Sequence, residues 1–373
     1  MRIRPVPAAR HYAQSRYDRF RQQQQQQQYG DGSEQEQPGY GSGGTRRVLL
    51  LRPTLWVLAF VAGTYCVCAS SFVDHQAKVQ RRSWGIFDMV WSGSGTDDEA
   101  DRVWALMSDA DVQRLVGRSH SVTGESHARM LRRIARLPEW VSLEAKRTAA
   151  AFADMWYRQS RGARCVYTIA GLNAVVFGMW HVPRLLPLMM RSFLHHPRSG
   201  LSYTLLTSTF SHRELMHFAF NTLALVSFGA PVADAMGVEH FTAFYLAAGV
   251  VSGLASHHFA PLRAALILPT LGASGAVYGV VGAMMMLSPN SQMAIVFLPF
   301  LPFTISQGFP ALMAYDLVGA VLGWRTMNHI AHLGGGLFGI AYLQWGTSLW
   351  SHAVGAVAGL RSRGPPAAHA ALG

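Results

Sequence analysis

Two residues in the second half of the chain have side chains suited to nucleophilic catalysis. Ser274 lies in a Gly-Ala-Ser-Gly sequence that begins at Gly272, near the predicted start of an apolar helix. Flanking glycines let a substrate approach the hydroxyl closely, and a helix N-terminus favours developing negative charge. His332 lies on a later apolar segment, and imidazole titrates in the range that proton transfer from a serine requires. Together they predict a serine nucleophile with a histidine general base.

Glycines recur at four-residue spacing on both of these segments. Gly275 and Gly279 follow the serine, and Gly335 and Gly339 follow the histidine. Residues four apart share one helix face, and small residues there let two helices approach closely. Two such faces would bring the serine and the histidine within hydrogen-bond distance. Each motif alone is also explained by helix packing with a buried polar residue, so neither is specific by itself.

A third polar group, on another apolar segment, has the side chains of an oxyanion hole. His217 and Asn221 are four residues apart and therefore project from one helix face. An amide donor beside an imidazole can stabilise a negatively charged oxygen inside a membrane. The alternatives are a polar contact between packed helices and a metal site. Zinc needs a third and usually a fourth ligand at matched spacing, and His257 and His258 are scattered candidates. The spacing of these histidines therefore does not favour a metal site.

The elements that carry these groups are membrane-spanning helices. Hydrophobic residues make up 50% of the 373-residue chain and charged residues only 14%, whereas soluble domains carry about 25% charged residues. A span needs about 20 mostly apolar residues. Seven segments qualify, one early and six in close succession, and the sixth contains Asp316. They lie at about 54–73, 165–185, 215–236, 241–259, 271–287, 307–324 and 330–349.

Charge and composition divide the rest of the chain. The net charge of +12 is typical of basic loops and tails beside membrane spans, and there is no nucleic-acid-binding motif, so nucleic acid is not an expected partner. Six arginines occur in residues 1–21, which indicates a mitochondrial targeting sequence, with a disordered basic tail as the alternative. The predicted regions are a disordered N-terminus (1–53), a first transmembrane helix (54–73), a soluble connector with amphipathic helices (74–163), a six-helix core (164–349) and a short tail (350–373).

The three polar groups, taken in chain order, resemble the rhomboid family of intramembrane serine proteases. The resemblance covers about residues 165 to 349. It implies an all-α polytopic membrane protein in which one extra transmembrane helix precedes a six-helix rhomboid protease core. Its motifs are His212-x4-His217-x3-Asn221, Gly272-x-Ser274-Gly275 with Tyr278, and His332-x2-Gly335-x3-Gly339.

The resemblance also implies a role for each motif residue. Ser274 is the expected nucleophile and His332 the expected base. His217, Asn221 and the Ser274 backbone N–H are expected to form the oxyanion hole. Two further residues are expected to support the site, Tyr278 by packing near the dyad and His212 from the mouth of the site. Because rhomboids use a Ser–His dyad, Asp316 is interpreted as a structural polar residue, and the resemblance implies no cofactor and no metal.

The extra helix, the arginine-rich start and the stretch 328–336 resemble the mitochondrial branch of the family. One departure is that the loop 187–211 lacks the Trp-Arg pair that many rhomboids carry there. The branch implies the mitochondrial inner membrane, with the lipid bilayer as surroundings. Substrates would be transmembrane proteins, such as dynamin-related GTPases or other imported inner-membrane proteins. A non-catalytic helix-binding adaptor and a polytopic transporter are the alternatives, and a transporter would be expected to show an internal repeat.

Overall fold

The computed structural model of the protein is mainly helical and describes residues 48–82, 122–262, 269–295 and 298–362. The predicted targeting sequence, much of the predicted connector and the end of the predicted tail lie outside the described residues. A π-helical turn, Tyr342–Gly346, joins the last two helices. The elements are α1 (Leu51–Arg82), α2 (Val122–Ala135), α3 (Leu143–Arg158), α4 (Arg161–Trp180), α5 (Leu186–Ser192), α6 (Thr204–Thr207), α7 (Leu215–Met236), α8 (Val238–Phe259), α9 (Ser274–Leu287), β1 (Gln292–Ile295), β2 (Leu298–Thr304), α10 (Ile305–Leu322), α11 (His329–Ala341) and α12 (Thr347–Ser362).

The long apolar helices confirm the prediction of an all-α polytopic membrane protein. Five helices of the described part are long and apolar enough to cross a membrane, namely α1, α4, α7, α8 and α10. The other two predicted segments are also helical, as α9 and as α11 with its continuation into α12. Residues 350–362, predicted as part of a tail, therefore extend the last helix.

Helix α8 lies at the centre of the bundle. Its most apolar window is 56% buried, against 17% to 28% for the other four candidate spans. Small residues and aromatic rings of α8, including Phe241, Phe244 and Tyr245, fill the main core. The extra helix α1 packs against α8, where Val57 meets Val250, and against α12, where the Tyr65 ring meets Trp350.

The predicted glycine faces of α9 and α11 lie against each other. A Cβ atom added at Gly335 would collide with the carbonyl oxygen of Gly275, and one added at Gly339 would collide with the carbonyl oxygen of Gly279. Only glycine permits this backbone-to-backbone approach. Helix α8 closes the third side, because the Ser252 hydroxyl fills the space in front of Gly275.

Helix α9 is short for a membrane span, and Ser274 is its first residue. With 14 residues it is about 21 Å long at 1.5 Å per residue, below the roughly 30 Å of a hydrocarbon core. At least one end of α9 must therefore lie within the membrane thickness. Irregular backbone is tolerated there when protein surrounds it, and Ala273, just before Ser274, is completely buried.

Within the predicted connector, residues 122–158 form a helical hairpin of α2 and α3. Leu131 and Ile134 of α2 pack against Ala150 and Ala153 of α3 in a small separate core. Ser142 caps α3 by accepting a hydrogen bond from Ala145 N–H, as expected of a serine at this position. Both helices lie within the 74–163 segment that is interpreted from the sequence as a soluble connector.

Candidate active site

Ser274 and His332 lie within hydrogen-bond distance of each other. The Oγ of Ser274 is 2.9 Å from Nε2 of His332, and the serine is partly exposed while the histidine is buried. The Tyr278 ring stacks on the His332 ring, with centroids 4.3 Å apart and planes 14° apart. This stacking limits rotation of the imidazole. The arrangement suits transfer of the serine proton to Nε2.

Asp316 of α10 lies on the other side of the His332 ring. Its Oδ1 is 3.0 Å from His332 Nδ1, and its side chain is completely buried. A carboxylate accepts, so Nδ1 carries the proton and Nε2 is left free to accept from Ser274. The interpretation of Asp316 as only a structural polar residue of its helix missed this contact. The signal was present, since a carboxylate within an apolar helix is costly and tends to be functional.

Asp316 also contacts a second histidine. Its Oδ1 is 2.6 Å from Nδ1 of His329, which precedes His332 by three residues on α11 and so shares its helix face. The aromatic rings of Tyr315 and Trp324 surround His329. One carboxylate thus orients both imidazoles of this helix face. Among the described residues, no group of three or more His, Cys, Asp or Glu side chains is arranged to hold a metal ion.

The backbone before Ser274 is held in a conformation that requires glycine. Gly272 has φ +130°, a region that other residues rarely adopt, and its N–H donates to the carbonyl of Ser208 at 2.9 Å. Ala273 N–H then donates to Nε2 of His212 at 3.1 Å. These two hydrogen bonds fix the direction in which the chain enters α9.

His212 is completely buried behind this loop, whereas the family resemblance implied support from the mouth of the site. Burial, with a smaller effect from the nearby His217, lowers the pKa of His212 to about 3. The imidazole is therefore neutral near neutral pH, as an acceptor of a backbone N–H must be.

Of the predicted oxyanion donors, His217 lies against the loop before Ser274, and Asn221 lies four residues further along α7. The His217 ring packs on Gly272, where an added Cβ would meet His217 Cε1 at 2.7 Å. Asn221 uses one N–H to donate to the carbonyl of His217 at 2.8 Å, and its amide has a second N–H to offer. Ser274 is the first residue of α9, where backbone N–H groups have no acceptor within the helix.

Comparisons with known proteins find rhomboid sequences that are similar to the part of the chain containing this site. A sequence model described as the Rhomboid domain matches residues 199–346, which include every motif residue above. The chain is 42% identical over 195 residues to the presenilin-associated rhomboid-like protein, mitochondrial, of Mus musculus, covering 52% of each chain. It is 32% identical over 188 residues to Rhomboid protein 1, mitochondrial, of Saccharomyces cerevisiae, covering 50% of this chain and 54% of that one.

A bacterial protein is similar over a shorter stretch. The rhomboid protease GluP of Bacillus subtilis is 36% identical over 146 residues, which are 39% of this chain and 26% of that one. The chain spans about half the length of the mitochondrial relatives it matches.

Proposed function

This chain belongs to the rhomboid family through residues 199–346, and from that premise we propose that it is an intramembrane serine endopeptidase. The observation that carries the proposal is the 2.9 Å contact between Ser274 Oγ and His332 Nε2. The 3.0 Å contact of His332 Nδ1 with Asp316 adds the group that orients the base. The substrate is a transmembrane segment of another membrane protein, unwound locally because a helical peptide bond is shielded.

The proposed reaction has two halves. Ser274 Oγ attacks the scissile carbonyl carbon while His332 Nε2 takes the hydroxyl proton, and the tetrahedral intermediate collapses when that proton passes to the leaving amine. Water then attacks the acyl-enzyme and gives a proton to the same Nε2, which passes it to Ser274 Oγ as the acyl C–O bond breaks and the new carboxyl end is released. Asp316 stays ionised and stabilises the imidazolium that forms in each half.

In this proposal the oxyanion faces the start of α9. The Ser274 N–H, the His217 ring and the second N–H of Asn221 are the donors, and the first turn of the helix adds its favourable field. Loss of one such donor lowers kcat by roughly 100- to 1000-fold in serine proteases. No cofactor takes part in these steps.

We infer the location and the substrates of this chain from its relatives. The names of the mouse and yeast relatives place those proteins in mitochondria, and the five candidate spans make this chain an integral membrane protein. We infer that it resides in the mitochondrial inner membrane and acts on imported proteins there, such as dynamin-related GTPases. The mouse relative's name associates that protein with presenilin, and we propose membrane proteins as the partners of this chain.

The test is cleavage of a single-span substrate by the full-length protein in liposomes. Wild type is compared with Ser274→Ala and His332→Ala, and a serine-reactive fluorophosphonate probe reports labelling of Ser274. We expect cleavage and labelling by wild type only. Equal cleavage by all three proteins would disprove the assignment of the two residues. A folded wild type that neither cleaves nor is labelled would favour a helix-binding adaptor or a transporter.

A further inference from the structure

Two buried imidazoles outside the proposed catalytic groups connect the start of α1 with the loop before α9. His257 belongs to α8, and His195 lies in the loop between α5 and α6. His195 Nε2 is 3.0 Å from His257 Nδ1, and the two residues are only 3% and 2% exposed. The proposed reaction uses neither of them. Buried polar side chains are costly unless they are paired, so this pair needs an explanation.

The hydrogen bond at one end defines the direction of the pair. His257 Nε2 lies 2.9 Å from the carbonyl oxygen of Leu49, two residues before α1, and a carbonyl only accepts, so this nitrogen carries the proton. In its neutral form His257 then accepts at Nδ1, and His195 Nε2–H donates to it. Burial, aided by His257 and His196, lowers the pKa of His195 to about 3, which keeps that ring neutral as this pattern requires.

The backbone of His195 continues the connection to the nucleophile loop. Its N–H donates to the carbonyl of Thr270 at 2.9 Å, and its carbonyl accepts from Thr270 N–H at 2.8 Å. Thr270 is four residues before Ser274. The Leu49 carbonyl is therefore connected to the backbone that leads into α9. Hydrogen bonds join it to His257 and His257 to the His195 ring, and the backbone of His195 is hydrogen-bonded to Thr270.

We propose that His257 and His195 are positioning residues that hold the loop before Ser274 in place relative to the start of α1. The proposal rests on the proposed protease function for its kinetic consequence, but not for its structural one. If the link is cut, the loop gains freedom at Thr270 while the surfaces that would bind a substrate helix keep their shape. A displacement of about 1 Å near reacting groups can lower a rate by roughly 100-fold.

The test compares two adjacent histidines of α8 in the full-length protein reconstituted in nanodiscs. His257→Ala removes the link. His258→Ala is the matched control, because His258 Nε2 contacts α1 at the Thr54 hydroxyl, 3.1 Å away, outside the His195–His257 pair. Hydrogen exchange is measured on the peptide that contains Thr270, and kcat and KM are measured with a single-span substrate.

We expect exchange at Thr270 to be roughly tenfold faster in His257→Ala and unchanged in His258→Ala. We also expect kcat to fall roughly ten- to hundredfold in His257→Ala, with KM within about twofold of wild type. His257→Phe fills the space without a hydrogen bond, and it replaces His257→Ala if that variant does not fold.

A double-mutant cycle separates a link from two independent supports. If the two residues act as one link, His195→Ala combined with His257→Ala has the effect of either single change. Additive losses, or unchanged exchange at Thr270 in a folded His257→Ala protein, would overturn the proposal. Because exchange needs no catalysis, a wild type without protease activity whose Thr270 exchange still responds to His257→Ala would refute the proposed function and leave the link standing.

Discussion

At the scale of single residues, Asp316 has the most direct consequence for the proposed chemistry. Its Oδ1 lies 3.0 Å from the Nδ1 of His332 and so selects the tautomer that can accept the serine proton. A group with only a packing role would not influence the protonation of a ring. The contact with Asp316 therefore distinguishes His332, as a base held in the required tautomer, from a histidine that only lies near a serine.

We predict that Asp316→Asn lowers kcat by roughly 100- to 10,000-fold with little change in KM. The amide keeps the shape of the carboxylate but can leave the imidazole in the wrong tautomer and no longer stabilises its charged form. Steady-state kinetics with a single-span substrate measures the change. A variant that unfolds at the temperature of wild type and retains near-normal kcat would contradict a role for Asp316 in catalysis.

Gly272 permits a second test at this scale, because its backbone and its surroundings both require glycine. Its φ is +130°, and an added Cβ would meet the His217 ring at 2.7 Å. We predict that Gly272→Ala abolishes probe labelling of Ser274 and lowers the free energy of unfolding by more than the roughly 1–2 kcal/mol expected for strained backbone alone.

Gly200→Ala is the matched control for that substitution. Gly200 also has positive φ, at +70°, but an added Cβ would meet no atom within 4 Å. We expect Gly200→Ala to lower the free energy of unfolding through backbone strain alone and to retain probe labelling of Ser274. Thermal unfolding in detergent measures both variants, and equal losses in the two would show that the contact with His217 is unimportant.

At the scale of elements, the interface between α9 and α11 sets the distance between serine and histidine. The two helices meet through glycine backbone, and a Cβ at Gly339 would collide with the carbonyl oxygen of Gly279. We predict that Gly339→Ala separates the helices and lowers the unfolding free energy by about 1–3 kcal/mol, as overpacking does. The cleavage rate should fall by more than the loss of folded protein explains, since proton transfer depends on the distance between Ser274 and His332.

Gly355→Ala provides the comparison within the same continuous helical segment. Gly355 of α12 is exposed, and an added Cβ would meet no atom within 4 Å. There alanine should leave activity unchanged and raise helix stability by about 0.5–1 kcal/mol. Cleavage assays and thermal unfolding of both variants check the prediction, which would be wrong if Gly339→Ala behaved like Gly355→Ala.

The glycine spacing predicted this interface because residues four apart on a helix lie on the same face. A carboxylate within an apolar helix marked Asp316 as a functional candidate, but no spacing paired it with His332 or paired His195 with His257. In each pair the partners lie on different elements, and residue types alone do not pair them. Hydropathy also underestimated α1, predicted at 54–73 and observed as Leu51–Arg82. A helix continues into polar residues beyond the apolar stretch that a hydropathy pattern detects.

At the scale of the whole molecule, buried histidines make stability depend on pH. Burial lowers the pKa of His195 and of His212 to about 3, from 6.5. Between those values the unfolded chain binds more protons than the folded one. The contribution of each neutral imidazole is therefore complete above about pH 6.5 and is lost as the pH falls towards about 3.

We predict that the unfolding temperature of the full-length protein decreases as the pH is lowered from 7 to 4. His212→Gln can still accept the Ala273 N–H but has no group to protonate, so its unfolding temperature should depend less steeply on pH. Differential scanning fluorimetry in detergent at several pH values measures both slopes. Identical slopes would show that His212 does not contribute to the pH dependence.

The contact between α1 and α12 joins the two ends of the described fold. Near one end of this contact the Trp350 ring packs against Tyr65 and Phe72, and near the other Arg361 pairs with Asp74. Because α1 precedes α12 in the chain, the part of α1 around Tyr65 and Phe72 is covered only after α12 has been synthesised. A chain interrupted before α12 could still form the contact of α1 with α8, where Val57 meets Val250. The Tyr65 and Phe72 rings would lack Trp350, so an aromatic surface that α12 covers in the finished protein would stay uncovered.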